Sequence, residues 1–191
     1  MSESWTQLAD AFAYTARIHA GQIRKGTTIP YLSHLMSVSA LVLEHGGDED
    51  LAIAGLLHDA IEDVGPDQEP IILERYGARV AHIVRACTDA DTLPKPPWQA
   101  RKEAYLAHLE AADPDVLLVS CADKLHNARA ILSDLRTDGL EVFTRFKAGQ
   151  GGTLWYYEAL AEVFGRRLDN PIAQRLQETV VALVAEATMP A

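Results

Sequence analysis

The sequence predicts an all-α protein, on two observations. Apolar residues recur at helical spacing almost throughout, and alternating β-branched runs bounded by turn residues are nearly absent. Its 191 residues, 48% of them hydrophobic, suit one compact domain with a substantial core. The expected organisation is a single helical domain over residues 1–191, with residues 153–191 as a C-terminal helical extension packed on it.

The elements follow in order. A first helix covers roughly Trp5 to Gly21, and the polar stretch Arg24 to Pro30 forms a loop. Tyr31 to His45 is helical and stops at Gly46-Gly47, where glycine tolerates a left-handed backbone. Asp48 is a good N-cap for a helix over Leu51 to Val64, which Gly65-Pro66 ends. Glu69-Pro70 opens a short helix to Tyr76, Gly77 breaks it, and another runs to Cys87. The stretch Thr88 to Trp98 carries three prolines and is the clearest internal loop. Trp98 to Ala112 is helical, and Asp113-Pro114 places a capping residue and an N1 proline before a long helix to about Arg136. Asp138-Gly139 turns the chain. Lys147 to Gly152 is expected to be a flexible connection into two last helices, the second marked by Asn170-Pro171.

Charge and composition exclude several classes. A formal charge of −10 and a pI near 5.1 argue against nucleic-acid or anionic-membrane partners, which such a chain repels at long range. An anionic substrate would need a local basic pocket. Two cysteines, Cys87 and Cys121, make no disulfide framework. The start, Met1-Ser2-Glu3-Ser4-Trp5, lacks the basic and apolar regions of a leader, and no apolar run is long enough for a bilayer, so a cytoplasmic location is expected.

A dispersed set of metal-capable side chains carries the chemistry: His34, the neighbours His58 and Asp59, and Asp123. Imidazoles with carboxylates suit manganese, iron or zinc better than an all-oxygen calcium site or a thiolate site. On a regular helix His58 stacks with Glu62 and Asp59 with Asp63, which puts two carboxylates one turn from any bound cation. The bland alternatives are concrete. A lone histidine such as His34 is more often packed than ligating, and Asp123 could be a buried partner of Lys124 or Arg129. The pair His58-Asp59 follows a buried-looking run and must find partners or stand at a cleft, since an unpaired buried polar group costs roughly 1–3 kcal/mol or more. Spacing does not show that these helices converge.

Four segments resemble the HD-domain metal-dependent phosphohydrolases, and within them the hydrolase domain of RelA/SpoT-homologue enzymes and the small alarmone hydrolases. They are His19-Ala20-Gly21-Gln22-Ile23-Arg24-Lys25-Gly26, Pro30-Tyr31-Leu32-Ser33-His34, Ala54-Gly55-Leu56-Leu57-His58-Asp59-Ala60-Ile61-Glu62-Asp63 and Ala122-Asp123-Lys124-Leu125-His126-Asn127-Ala128-Arg129. The resemblance spans about Ala9 to Leu135. It implies a compact multi-helix HD fold and one divalent cation, usually manganese, held by His34, His58, Asp59 and Asp123. It implies Glu62 and Asp63 as the catalytic acidic pair, with Arg24, Lys25, Lys124 and Asn127 toward the nucleotide. Tyr156 is a candidate to close the nucleotide pocket, with core packing as the alternative. His19 and His126 are expected to be structural. Arg101-Lys102 either extend a phosphate-binding surface or form an exposed helix face, and Asp89 is a candidate contact from the loop.

The implied reaction is hydrolysis of guanosine 3′-diphosphate alarmones, ppGpp or pppGpp, to pyrophosphate and GDP or GTP. Glu62 would deprotonate or aim the water, and Asp63 would orient it or assist the leaving oxygen. Two alternatives stay open: an HD phosphohydrolase acting on another nucleotide such as NADPH, and a non-catalytic nucleotide binder. Thr27-Thr28-Ile29, Asp63-Val64 and the Pro-rich stretch from Leu93 to Trp98 depart from the family pattern and bear on substrate identity. The final helices could support a homodimer.

Overall fold

The computed structural model describes residues 5–89, 94 and 96–189. Part of the Pro-rich loop (90–93 and 95) and the first four residues, on which the absence of a leader was read, lie outside them. Eight α-helices are described: α1 (Thr6–Ile18), α2 (Leu32–Glu44), α3 (Glu49–Leu57), α4 (Gln68–Cys87), α5 (Trp98–Leu109), α6 (Pro114–Asp138), α7 (Gly149–Arg167) and α8 (Pro171–Thr188). A π turn, Ala60–Val64, follows α3, and a 3-10 turn, Gly139–Arg145, follows α6. Among the described residues the extended pairing is a single antiparallel bridge between Ile23 and Pro30. The protein is all-α, as the sequence predicts. No described helix is long and apolar enough to cross a membrane.

Local chemistry sets the helix starts. The side chains of Asp48, Asp113 and Asn170 accept from the backbone N–H of Leu51, Val116 and Ile172 at 3.0, 3.0 and 3.1 Å. Pro114 and Pro171 stand just inside their helices, where a missing N–H leaves no bond unmade. Gly77 takes φ 87°, ψ 173° inside α4 and kinks it at the predicted break.

Two helices make the centre. Every residue of α3 from Leu51 to Leu57 is buried, and a helix apolar on all sides must be enclosed by others. Helix α6 is the axis, with Val116, Leu117, Val119, Cys121, Ala122 and Leu125 at 1% exposure or less, and it touches α2, α3, α4, α7 and α8. Because α3 is enclosed along its length, the polar residues at its C-terminal end arrive in the interior.

Two expectations are corrected. The helix predicted over Leu51 to Val64 is not continuous: α3 stops at Leu57, Asp59 has φ −98° and ψ 0°, and Gly65 N–H donates to Ala60 O at 3.2 Å in the π turn. The buried His58 and the half-buried Asp59 stand between the end of α3 and the π turn, with His58 Nε2 3.0 Å from Asp59 Oδ2. The connection predicted from Lys147 to Gly152 is largely helix, because α7 starts at Gly149. A Cβ on Gly152 would stand 2.6 Å from that of Ala148 and 3.5 Å from the Trp98 ring, so this glycine serves close packing. Helix α7 therefore begins ahead of residue 153, where the extension was drawn.

Gly55 is a second close approach. A Cβ there would lie 3.0 Å from Cα and 3.2 Å from N of Ser39 on α2. Alanine would recover about 1 kcal/mol of helix propensity, so valine is the sharper probe. Gly55→Val is expected to lower unfolding free energy by about 1–3 kcal/mol through overpacking, measured by denaturant titration; an unchanged midpoint would mean that α2 and α3 can separate without loss.

Candidate active site

Three helix ends and one helix middle build the site. His34 lies in the first turn of α2, His58 and Asp59 join α3 to the π turn, and Asp123 lies in α6. His34 Nε2 stands 3.2 Å from Asp123 Oδ1 and 3.8 Å from Asp59 Oδ2. His58 Nε2 stands 3.0 Å from Asp59 Oδ2 and 3.6 Å from Asp123 Oδ1. The structure thus brings together all four residues that the sequence nominated.

Several features fit a cation. Nε2 of both His34 and His58 is buried without a hydrogen-bond partner. Two donors each about 2.1 Å from one ion stand about 3.0–3.4 Å apart at octahedral or tetrahedral angles, close to the spacings here. His58 Nδ1–H donates to Gly55 O at 2.9 Å, which leaves its Nε2 lone pair pointing inward. His34 Nδ1 meets His126 Nδ1 at 2.8 Å, so one proton is shared there; with it on His34, Nε2 is again a lone pair. Burial, with the charges of His34 and Arg24, pushes His126 down to about 4, so it stays neutral and can accept.

The electrostatics favour added positive charge. Burial lowers the His34 imidazole, whereas at His58 the Asp59 and Asp123 carboxylates more than reverse the effect of burial. Burial also works against ionised Asp59 and Asp123, yet both lie below the usual carboxylate range. His58 chiefly holds Asp59 there, and Lys124 with both histidines holds Asp123.

A second layer orients the ligands. Tyr31 Oη donates to Asp59 Oδ2 at 2.5 Å, Asn127 Nδ2 to Asp123 Oδ1 at 2.6 Å, and Lys124 Nζ to Asp123 Oδ2 at 2.5 Å. Asp123 Oδ2 takes the salt bridge to Lys124, while Oδ1 faces the two histidines and Arg129 is exposed. Tyr31 was missed as a site residue. Its signal was its place three residues before His34, on the same side of the incipient helix.

The acidic pair divides. Asp63 N–H donates to Asp59 O at 2.9 Å, and an Asp63 oxygen accepts from Gln22 Nε2 at 2.7 Å. Desolvation and the Asp59 charge raise the Asp63 carboxyl above its ordinary range, with Gln22 opposing. Glu62 lines a cleft of about 350 Å³ with Lys25, Trp98, Arg101, Lys102, Lys147 and Tyr156. The regular helix on which Glu62 was stacked over His58 is absent.

A second lobe of about 280 Å³ is lined by Arg24, Tyr31, Asn127 and Arg145, and both lobes share Lys25, Ile131, Phe146 and Tyr157. Arg24 donates to Asn127 Oδ1 at 3.0 Å, which ties the basic loop to α6. Tyr156 is buried with an unpartnered hydroxyl, and Lys102 Nζ lies 4.8 Å from its ring centroid. Arg101 and Lys102 are no exposed helix face: Asp89, with 7% of its side chain exposed, binds both, Lys102 at 2.6 Å.

A model described as HD domain matches residues 11–154. The chain belongs to the HD domain family. Over 134 residues this HD domain is 35% identical to the human protein named guanosine-3′,5′-bis(diphosphate) 3′-pyrophosphohydrolase MESH1, covering 68% of this chain and 72% of that one. It is 35% identical over 127 residues to a GTP pyrophosphokinase of Myxococcus xanthus, covering 63% of this chain and 16% of the relative. An Aquifex aeolicus protein named guanosine-3′,5′-bis(diphosphate) 3′-pyrophosphohydrolase is 34% identical, with 65% and 18% covered. The chain therefore spans under a fifth of those two bacterial relatives. Among solved structures, a metazoan SpoT orthologue described as hydrolysing ppGpp aligns with TM-score 0.74 at 23% identity, over 94% of this chain and 96% of that one. A Listeria monocytogenes protein aligns with TM-score 0.70 at 26% identity, over 77% and 96%. Membership of the HD family implies a divalent metal, and His34, His58 and Asp59 form a cluster that can hold one.

If His126 sets the tautomer of His34, His126→Ala is expected to weaken metal affinity about 10–100-fold with the helical fold intact, the usual scale for an outer-shell partner. Metal titration followed by circular dichroism tests this; parental affinity would remove His126 from the site.

Proposed function

We propose that this HD domain hydrolyses guanosine 3′-diphosphate alarmones, ppGpp or pppGpp, at the 3′ position, releasing pyrophosphate and GDP or GTP. One observation carries the reading: the His-His-Asp-Asp cluster is bonded through Asp59 to Tyr31 and through Asp123 to Asn127, and both of these line a cleft that carries Arg24, Lys25, Arg101, Lys102, Arg145 and Lys147 in a chain of net charge −10. The relative named for this activity, of which the chain covers 72%, gives the substrate class.

His34, His58, Asp59 and Asp123 would hold the divalent ion; their mixed imidazole and carboxylate donors suit manganese, iron or zinc, and the family resemblance favours manganese. When bound, such an ion polarises a phosphoryl oxygen and acidifies water. The chain's own groups supply the rest. Glu62, on the cleft wall, takes the proton of the attacking water. Asp63, held protonated more readily than an ordinary carboxyl, gives a proton to the departing 3′-oxygen as the ester bond to phosphorus breaks. Arg24 and Lys25 bind from the hairpin; the planar Arg24 guanidinium suits stacking on a base. Asn127, which lines the second lobe, and Lys124 would face the nucleotide while bonding Asp123, and Tyr156 with Trp98 closes the far lobe. The proposal makes the protein cytoplasmic, with residues 1–191 as one HD-type unit and residues 153–191 its packed extension.

Product analysis with ppGpp, GDP, NADPH and a generic phosphomonoester tests the reading. Pyrophosphate from ppGpp is expected; orthophosphate from NADPH alone would reassign the substrate. Glu62→Gln is expected to keep metal and fold and lower kcat by about 10²–10⁴-fold, the usual contribution of a positioned base. Arg24→Ala is expected chiefly to raise KM, by about tenfold or more for a lost charge-assisted contact; an unchanged KM for every nucleotide would displace Arg24 from the binding site.

A further inference from the structure

The basic loop is a small hairpin, and its mouth reaches the acidic residues. Arg24 N–H donates to Ile29 O and Tyr31 N–H to Gln22 O, both at 2.9 Å, around the Ile23 to Pro30 bridge. Gln22 and Tyr31 therefore face one another. Tyr31 sends its hydroxyl to Asp59, and Gln22 sends its amide to Asp63 Oδ2 at 2.7 Å. The amide orientation is determined by its partners: only Nε2–H can donate to a carboxylate, so Oε1 faces His19 Nδ1 at 2.6 Å and that nitrogen carries a proton. His19 is 4% exposed, so the line from His19 through Gln22 to Asp63 starts on a buried, fixed ring.

We propose that Gln22, braced by His19, is a positioning residue that selects the rotamer of Asp63. This rests on the reading of Asp63 as part of the catalytic pair. The Asp63 side chain lies at the exposed edge of the π turn and would otherwise sample several rotamers. Gln22 engages Oδ2 and so turns Oδ1 toward the reacting oxygen. Arg24 and Lys25 belong to the same hairpin, so the substrate's contacts and the aim of Asp63 are set by one rigid element.

The test uses the 191-residue chain loaded with manganese. Backbone bonds hold the hairpin, so Gln22→Leu should fold and bind metal as the parent does. Its kcat is expected to fall about 10–100-fold, the scale of a displaced catalytic group, with KM within about twofold. His19→Leu should shift kcat in the same direction, and His19→Asn, which keeps an N–H near the same place, should restore it. Parental kcat in Gln22→Leu, or a change in KM alone, would overturn the proposal. Crystal structures of parent and Gln22→Leu provide the arm that needs no turnover: Asp63 is expected to leave its rotamer, and an unmoved carboxylate would overturn the proposal even if the parent hydrolyses no alarmone. If the parent hydrolyses another nucleotide, the kinetic comparison is made on that nucleotide, so an error in substrate assignment is distinguishable from an error about Gln22.

Discussion

Two carboxylates, Asp59 and Asp123, must share a small interior volume with two imidazoles, and the surrounding fold answers to that demand. Like charges this close and this dry repel strongly, and each is costly to desolvate. Every observed adjustment supplies positive charge or a proton donor. Lys124 and Asn127 attend Asp123, Tyr31 attends Asp59, and the inward nitrogens of His34 and His58 stand between the acids. A divalent ion completes the same logic, and because it binds the folded arrangement only, its binding free energy adds to folding stability.

The helical framework follows from the need to deliver these side chains to one place. An all-apolar α3 carries His58 inward, and the chain leaves the regular helix just after it, with Asp59 as the residue ahead of the π turn. Gly55 lets α2 pass within van der Waals distance of α3, which sets the separation of His34 from His58. The hairpin between α1 and α2 then ties basic residues and acidic residues into one unit. One departure from ideal helix geometry, the π turn, carries Glu62 and Asp63, while another, the kink at Gly77, lies in α4 away from both lobes of the cleft.

What was legible in the sequence was what is decided locally. Asp48, Asp113-Pro114 and Asn170-Pro171 announce helix starts through bonds made within a few residues, and Gly77 announces its own kink. The π turn was not legible, because no residue type in Ala60–Val64 marks it and the helices packed on it, α4 and α1, are distant in sequence. Nor was the helical start at Gly149, since the glycines there look like a flexible tract until Trp98 is seen lying against Gly152. The metal-capable set was readable as residue types, but its convergence came only from resemblance to a family. Tyr31 and Gln22 escaped because neither type advertises a role; contacts to Asp59 and Asp63, 28 and 41 residues away, define them.

Charge bears on how an acidic chain would take the proposed anionic ligand. At physiological ionic strength fields decay over about 8 Å, so a ligand seated in the cleft responds to the cations lining it and scarcely to the distant acidic surface. An extended polyanion cannot do this. Most of its phosphates would lie beyond the cleft, against a body of net charge −10, and each would weaken association. A compact ligand that gathers its phosphates within one or two nucleotide lengths gains from every cation and meets little of that repulsion. The same arrangement bears on Lys102: Asp89 neutralises it at the cleft wall and lowers the desolvation cost of holding it beside Tyr156. Basic residues held this way need no net basic surface, so the proposed preference for a small, densely charged ligand is compatible with an acidic chain.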